Sequence, residues 1–191
     1  MNTTQIENIG FIFMAPEEQA MQMLKQYDAK YILVFTTLAL GTSSDGSYYV
    51  AQAAGFGDEG KWSWMARISG QARERFIQTG FISADAAWTD EDDFGQLSNT
   101  TGTWEWNDMG KNSTVYKLLS WAKQRWVDVG GKDIGVVADE AGVEPTYFKE
   151  AYFAGEDLNA VEASVKYGGL IPIVAIYEID WEAYYNATGQ P

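Results

Sequence analysis

The chain has 191 residues, the size of one ordinary domain, and 46% of them are hydrophobic, enough to build a core and to exclude a disordered chain. Asp and Glu number 27 against 13 Lys and Arg, and the formal charge of −14 repels nucleic acid and anionic lipid headgroups. Cysteine and histidine are both absent, which excludes disulfides, a cysteine nucleophile, Cys/His zinc sites and a Ser-His-Asp triad.

Residues 6–14 are apolar and short, and read as a strand or the lead-in to a helix. Ala15-Pro16-Glu17-Glu18 is a helix start, because Pro suits the first helical position and acids suit the first turn. Ala20, Leu24 and Tyr27, joined by Met21 or Met23, recur at helical spacing until Asp28-Ala29-Lys30 closes the element. Residues 31–37 are β-branched and aromatic, a buried strand. Residues 41–57 carry four glycines and a Ser-Ser-Asp-Gly turn, and read as a loop. Asp58 then opens a predicted helix reaching about Thr79. Residues 80–112 are acidic and rich in Gly, Asn and Thr, a loop-rich insertion with short strands, in which Trp88, Trp104 and Trp106 are candidate anchors. Ser113 caps the next helix; Val115, Leu118, Leu119, Ala122 and Trp126 form its apolar face, and Gly130-Gly131 ends it. Pro145 starts a predicted short helix through about Phe153, and residues 170–179 form a last strand in which Pro172 implies an edge or a bulge. No apolar run approaches the about 20 residues that span a bilayer, and the N-terminal residues have no basic n-region of a signal peptide. The expectation is an α+β fold, a single helix-rich domain over residues 1–191 around a small β-sheet.

Within the predicted helix, Asp58, Lys61 and Met65 stand at i, i+3 and i+7, positions that share one face, with Trp62 beside them. An acid, a base and a flexible apolar side chain thus form one stripe. Read alone, this is an ion pair above a core methionine, worth about 0.3–0.5 kcal/mol when exposed. The flanks add to it. Asn2-Thr3-Thr4-Gln5-Ile6 leads to an apolar segment, then to Ala15-Pro16-Glu17-Glu18, a helix, Lys30-Tyr31-Ile32-Leu33-Val34, a Gly/Ser loop, and Asp-x-x-Lys-x-x-x-Met running into Arg67-Ile68. Later comes Asn112-Ser113-Thr114-Val115-Tyr116-Lys117-Leu118-Leu119. This order resembles the soluble C-terminal domain, or central core, of the archaeal-type oligosaccharyltransferase catalytic subunit, over residues 2–68 and 112–122.

The resemblance implies an enzyme that moves an oligosaccharide from a lipid carrier to the Asn of Asn-x-Ser/Thr, working at the extracytoplasmic face of a membrane as part of a multi-pass protein. Its partners would be the acceptor polypeptide, the lipid-linked oligosaccharide and its own transmembrane domain, with no nucleic acid. Carried over, Met65 would be the apolar wall for the methyl of the acceptor Thr, Lys61 would face the same site, and Asp58 would orient Lys61 or the helix start. One such methyl contact favours Thr over Ser by about 1 kcal/mol. The family's Trp-Trp-Asp-Tyr-Gly signature is not in this sequence; Trp104-Glu105-Trp106-Asn107-Asp108 has the wrong order and position. No cofactor is expected in this domain, because the family's divalent metal, Mn or Mg, is held by membrane loops. The isolated chain is therefore expected to have no transferase activity. The alternative is a secreted, non-catalytic carbohydrate- or protein-binding module, for which the tryptophans at 62, 64, 88, 104 and 106 could serve.

Two further motifs carry less. Asn2, Asn99, Asn112 and Asn186 each open a sequon. Asp90-Glu91-Asp92-Asp93-Phe94-Gly95 has the glycine of a calcium loop, but Thr101 stands where the bidentate Glu belongs, so a solvated acidic loop is the better reading.

Overall fold

A computed structural model describes residues 3–155, 158–167 and 169–189. The fold is α+β, and the chain gathers into two compact units, each assembled from separate stretches of sequence.

The first unit takes Met1–Ala29, Lys61–Tyr116 and Asp180–Pro191. The apolar segment near the start is helical: α1 is Thr3–Met14, with Phe11 and Met14 fully buried. Pro16 precedes α2, Glu17–Leu24, with Glu17 and Glu18 in its first turn, and Asp28 turns the chain in a left-handed conformation at φ 46°. The single helix expected over 58–79 is divided: Asp58–Gly60 is a 3-10 turn, α3 is Trp62–Gln71 and α4 is Arg73–Gln78. Ala72 leaves helical geometry between α3 and α4, next to Gly70, whose missing side chain lets the backbone of Thr89 lie directly against it.

The core of this unit is aromatic. Phe11 meets Phe76 at 4.3 Å and Trp88 at 5.5 Å, and Trp88 meets Phe94 at 5.4 Å. Each such pair contributes about 0.5–1.5 kcal/mol beyond its buried area. The buried Trp88 Nε1–H donates to Ser69 Oγ at 2.9 Å, so the large ring is buried without an orphaned donor. Arg75 ties α4 to α1 through Glu7 at 2.8 Å and Asn8 at 3.0 Å. The expected loop-rich stretch 80–112 holds short elements: β3 (Gly95–Leu97) pairs with β4 (Trp104–Trp106), and α5 (Asp108–Asn112) is capped by Asn107, which accepts from the Gly110 amide at 2.9 Å. Residues 181–188, which the sequence pattern leaves unassigned, form a further helix capped by Asp180 and pinned by Trp181 Nε1–H to the Ala29 carbonyl at 3.1 Å.

The second unit takes Lys30–Gly60 and Lys117–Ile179 and contains the main sheet. β1 is Tyr31–Thr42, β2 Tyr48–Gly57, β5 Val136–Ala138, β6 Phe148–Ala154 and β7 Leu170–Ile179, in the order β5-β2-β1-β7-β6. All neighbours are antiparallel except β2 and β5. Ile32 and Val34 in β1, and Ile171, Ile173, Ala175 and Tyr177 in β7, are the buried alternates. Buried Tyr177 donates its hydroxyl to the Leu118 carbonyl at 3.0 Å, and burial pushes its pKa up. α6, Thr114–Trp126, begins after Ser113, whose Oγ accepts from the Tyr116 amide at 3.3 Å. α7 is Leu158–Tyr167, and α8 is the terminal helix Trp181–Thr188 of the first unit.

Three sequence expectations change here and a fourth, at Pro172, is met locally. Residues 48–57 are strand, not loop, because pairing with β1 overrides their glycines. Residues 148–154 are strand, not helix, because Phe148, Tyr152 and Phe153 pair with β7. Gly130-Gly131 does not end the helical path, which continues as a π-helical turn Val127–Gly131 and a 3-10 turn Lys132–Ile134 up to Gly135. Pro172 lies in an interior strand, but beyond the β6 ladder, which stops at Val174, so β7 is locally an edge there.

Candidate functional site

The segment around Asp58 begins with an irregularity in β1. Its register with β2 shifts between Thr36 and Leu38, which frees the amides of that stretch from the ladder. Two adjacent carboxylates of the 3-10 turn take them. Asp58 Oδ2 accepts from the Phe35 amide at 2.6 Å, and Glu59 Oε1 accepts from the Thr37 amide at 3.0 Å. Gly57 delivers the turn with φ +71°, and a Cβ there would stand 2.6 Å from the Phe35 carbonyl oxygen, so only glycine fits. Asp58 is therefore an anchor of its own turn on β1.

Glu59, which sequence reasoning missed, is 8% exposed. Burial pushes its carboxyl above the usual range, against the lowering influence of the Glu59 and Thr37 amides and the Thr36 hydroxyl, while ionised Asp58 raises it further. The only signal in the sequence was a second acid beside Asp58, which a helical reading treats as a first-turn charge.

Lys61 is the N-cap of α3 and Met65 lies in its first turns, and both belong to the other unit. The Met65 amide donates to the Lys61 carbonyl at 3.1 Å, closing the first turn, with Lys61 exposed and Met65 half-buried. Asp58 is thus not on the helix with them, and the expected three-residue helical stripe reduces to Lys61 and Met65. The cause is the 3-10 geometry of residues 58–60, which commits both acids to β1. The face bearing Lys61 and Met65 also carries Trp64 and Ile68, at i, i+3, i+4 and i+7. Trp64 is 60% exposed, and the Arg67 guanidinium lies over its ring at 4.4 Å while Arg67 Nε meets Glu91 at 3.1 Å. The opposite side of α3 is buried through Ala66, Ser69 and Gly70. The helix accordingly shows a cation and a partly exposed apolar stripe.

Trp62, Trp104 and Trp106 are occupied by one another. Trp62 tilts against Trp104 at 4.9 Å and Trp106 at 4.5 Å, and Trp106 meets Tyr116 edge-on at 5.5 Å. These rings contact one another at interplanar angles of 51° and 48°, so they offer no flat shared platform. The acidic run near 90 is a 3-10 turn in which Asp90 caps the Asp92 amide at 3.0 Å and Asp93 takes the Thr89 amide at 2.6 Å. Among the described residues no group of three or more Asp or Glu is placed to hold a metal ion, and no helix is long and apolar enough to cross a membrane. Of the sequons, Asn99-Thr100-Thr101 is exposed throughout, Asn112 is followed by fully buried Ser113 and Thr114, Asn186 is exposed within α8, and Asn2 lies outside the described residues.

No known family model matches the chain. The chain is similar to the "Dolichyl-diphosphooligosaccharide--protein glycosyltransferase subunit stt3" of Schizosaccharomyces pombe, at 30% identity over 92 residues, 48% of this chain. It spans 11% of that relative's length.

Proposed function

We propose that this chain is the acceptor-binding soluble part of an oligosaccharyltransferase catalytic subunit, one that transfers a lipid-linked oligosaccharide to the Asn of Asn-x-Ser/Thr. The observation that carries the reading is the outward stripe of α3, where Lys61 and Met65 keep the Lys-x-x-x-Met spacing of the family's second signature; the partial similarity to a yeast subunit of that enzyme supports it. In this reading the acceptor's Thr methyl rests on Met65 and the neighbouring Ile68, and Lys61 lies beside the acceptor backbone. A flexible thioether suits a wall that must accept many polypeptides. Asp58 is a positioning residue, holding the turn that precedes α3. The membrane spans, the divalent metal and the groups that receive the Ser/Thr hydroxyl belong to the rest of the polypeptide, at the extracytoplasmic face.

The test is transfer by the full-length membrane enzyme to matched Asn-x-Thr and Asn-x-Ser peptides, for wild type, Lys61→Ala and Met65→Ala. The reading requires Met65→Ala to reduce the Thr advantage and Lys61→Ala to slow transfer to both peptides. Wild-type behaviour of both variants would assign α3 to scaffold. The isolated chain should transfer no sugar, and sugar transfer by it alone would overturn the assignment.

A further inference from the structure

The second unit holds a crevice that shares no residue with the segment 58–65. Its volume is about 380 Å³, within the range of small-molecule pockets. One wall is α6, which presents Trp121 and Arg125 four residues apart and so on the same face. The other wall is the approach to β6 and its first strand residues, with Glu144, Thr146, Lys149 and Glu150.

Three features describe its ligand. Trp121 is half-buried, lines the crevice and, unlike Trp62, Trp64, Trp88, Trp104, Trp106 and Trp181, has no other ring or cation against it among the described residues. Arg125 Nε donates to Glu150 Oε2 at 2.8 Å, which fixes the guanidinium plane, while Nη1 stands 3.8 Å from Asp128. Among the described residues the second oxygen of Glu150 and the terminal nitrogens of Arg125 make no hydrogen bond, Nη1 having only the Asp128 ion pair, so an acceptor and a donor fork sit side by side. Finally, Arg125 and Lys149 balance Glu144 and Glu150, giving a locally neutral lining on a chain of net charge −14. Such a lining selects neither an anion nor a cation. A neutral ligand with one flat apolar face and paired hydroxyl groups that both donate and accept would suit it.

We infer that this crevice is a saccharide subsite, which seats the flat face of a neutral pyranose on Trp121 and its vicinal hydroxyls on the Arg125–Glu150 pair. The subsite stands apart from the acceptor reading of α3, and either can fail without the other.

The experiment is an NMR titration of the whole isotope-labelled chain with methyl α-D-glucopyranoside, methyl α-D-mannopyranoside and N,N′-diacetylchitobiose, and separately with an Asn-x-Thr peptide. The indole N–H of Trp121 is assigned by its loss in Trp121→Phe. At least one sugar should shift that signal and the amides of residues 144–150 saturably, with a dissociation constant of about 1 mM. Arg125→Lys keeps the charge but loses the planar fork, and should weaken binding about 10-fold with the remaining spectrum unchanged. Trp121→Ala should abolish the shifts, and if it does not fold the Arg125→Lys result decides. Absence of a saturable Trp121 shift with all three sugars, a shift produced by the peptide instead, or sugar shifts indifferent to Arg125→Lys would each overturn the subsite.

Discussion

Residues 58–60 and 61–68 adjoin in the chain, yet they direct their functional groups differently. In the first stretch the carboxylates of Asp58 and Glu59 bond to the Phe35 and Thr37 amides of β1. In the second, Lys61 and Trp64 are exposed and Met65 and Ile68 half-exposed along one face of α3. A motif that looks uniform in sequence therefore divides into an anchor and a presenting surface. Substitutions in the anchor should act on stability, and substitutions on the surface should act on recognition with the fold intact.

The largest effect is expected at Gly57. A side chain there combines a left-handed backbone with a collision against the Phe35 carbonyl, so Gly57→Ala should cost at least about 2–3 kcal/mol in denaturant unfolding. An unchanged midpoint would show that the turn can leave β1 without penalty, and the division would collapse. Next comes Asp58→Ala, which leaves the part-buried Phe35 amide without its acceptor and should cost about 1–2 kcal/mol. If it instead abolished peptide transfer with stability intact, Asp58 would belong to the presenting surface after all.

The same division shows what the sequence could and could not convey. α2, β1, α6 and β7 are legible because their signals are local: Pro16 with Glu17 and Glu18, the β-branched run from Tyr31, the apolar spacing from Val115 to Trp126, and residues 170–179. The four-residue spacing of Lys61 and Met65 is local too. What stays hidden depends on partners far along the chain. Gly55 and Gly57 read as loop because the pairing that makes β2 a strand comes from β1. Pro145 reads as a helix start because the β7 partner of Phe148 is Ile179. The partner of Asp58 is an amide 23 residues earlier, so a helical wheel puts the acid on the wrong element.

On the presenting side, Met65→Ala should lower the preference for Asn-x-Thr over Asn-x-Ser peptides about 3–5-fold in the full-length enzyme, near 1 kcal/mol. The readout is the ratio of kcat/KM values, which a general loss of stability would not move. Lys61→Ala, at an exposed position, should change unfolding by less than about 0.5 kcal/mol while slowing transfer to both peptides. A ratio that is unchanged in Met65→Ala would remove the apolar wall and leave α3 without a recognition role.

The smallest and sharpest effect belongs to Glu59. Its carboxyl is raised in the folded chain by burial first, and by the neighbouring Asp58 charge. A raised acid means that the folded state holds the proton more tightly than the unfolded state. The stability it contributes is complete below the unfolded value, about 4.3, and is lost as pH rises through the folded value. Glu59→Gln keeps an oxygen for the Thr37 amide and removes the titration. The variant should match wild type near pH 4, exceed it at about pH 7, and show the smaller pH slope between them in urea midpoints. A variant less stable than wild type at neutral pH would mean that the ionised carboxylate is itself the favourable partner of the Thr37 amide. Glu59 and Asp58 would then be equivalent anchors, and burial would not distinguish them.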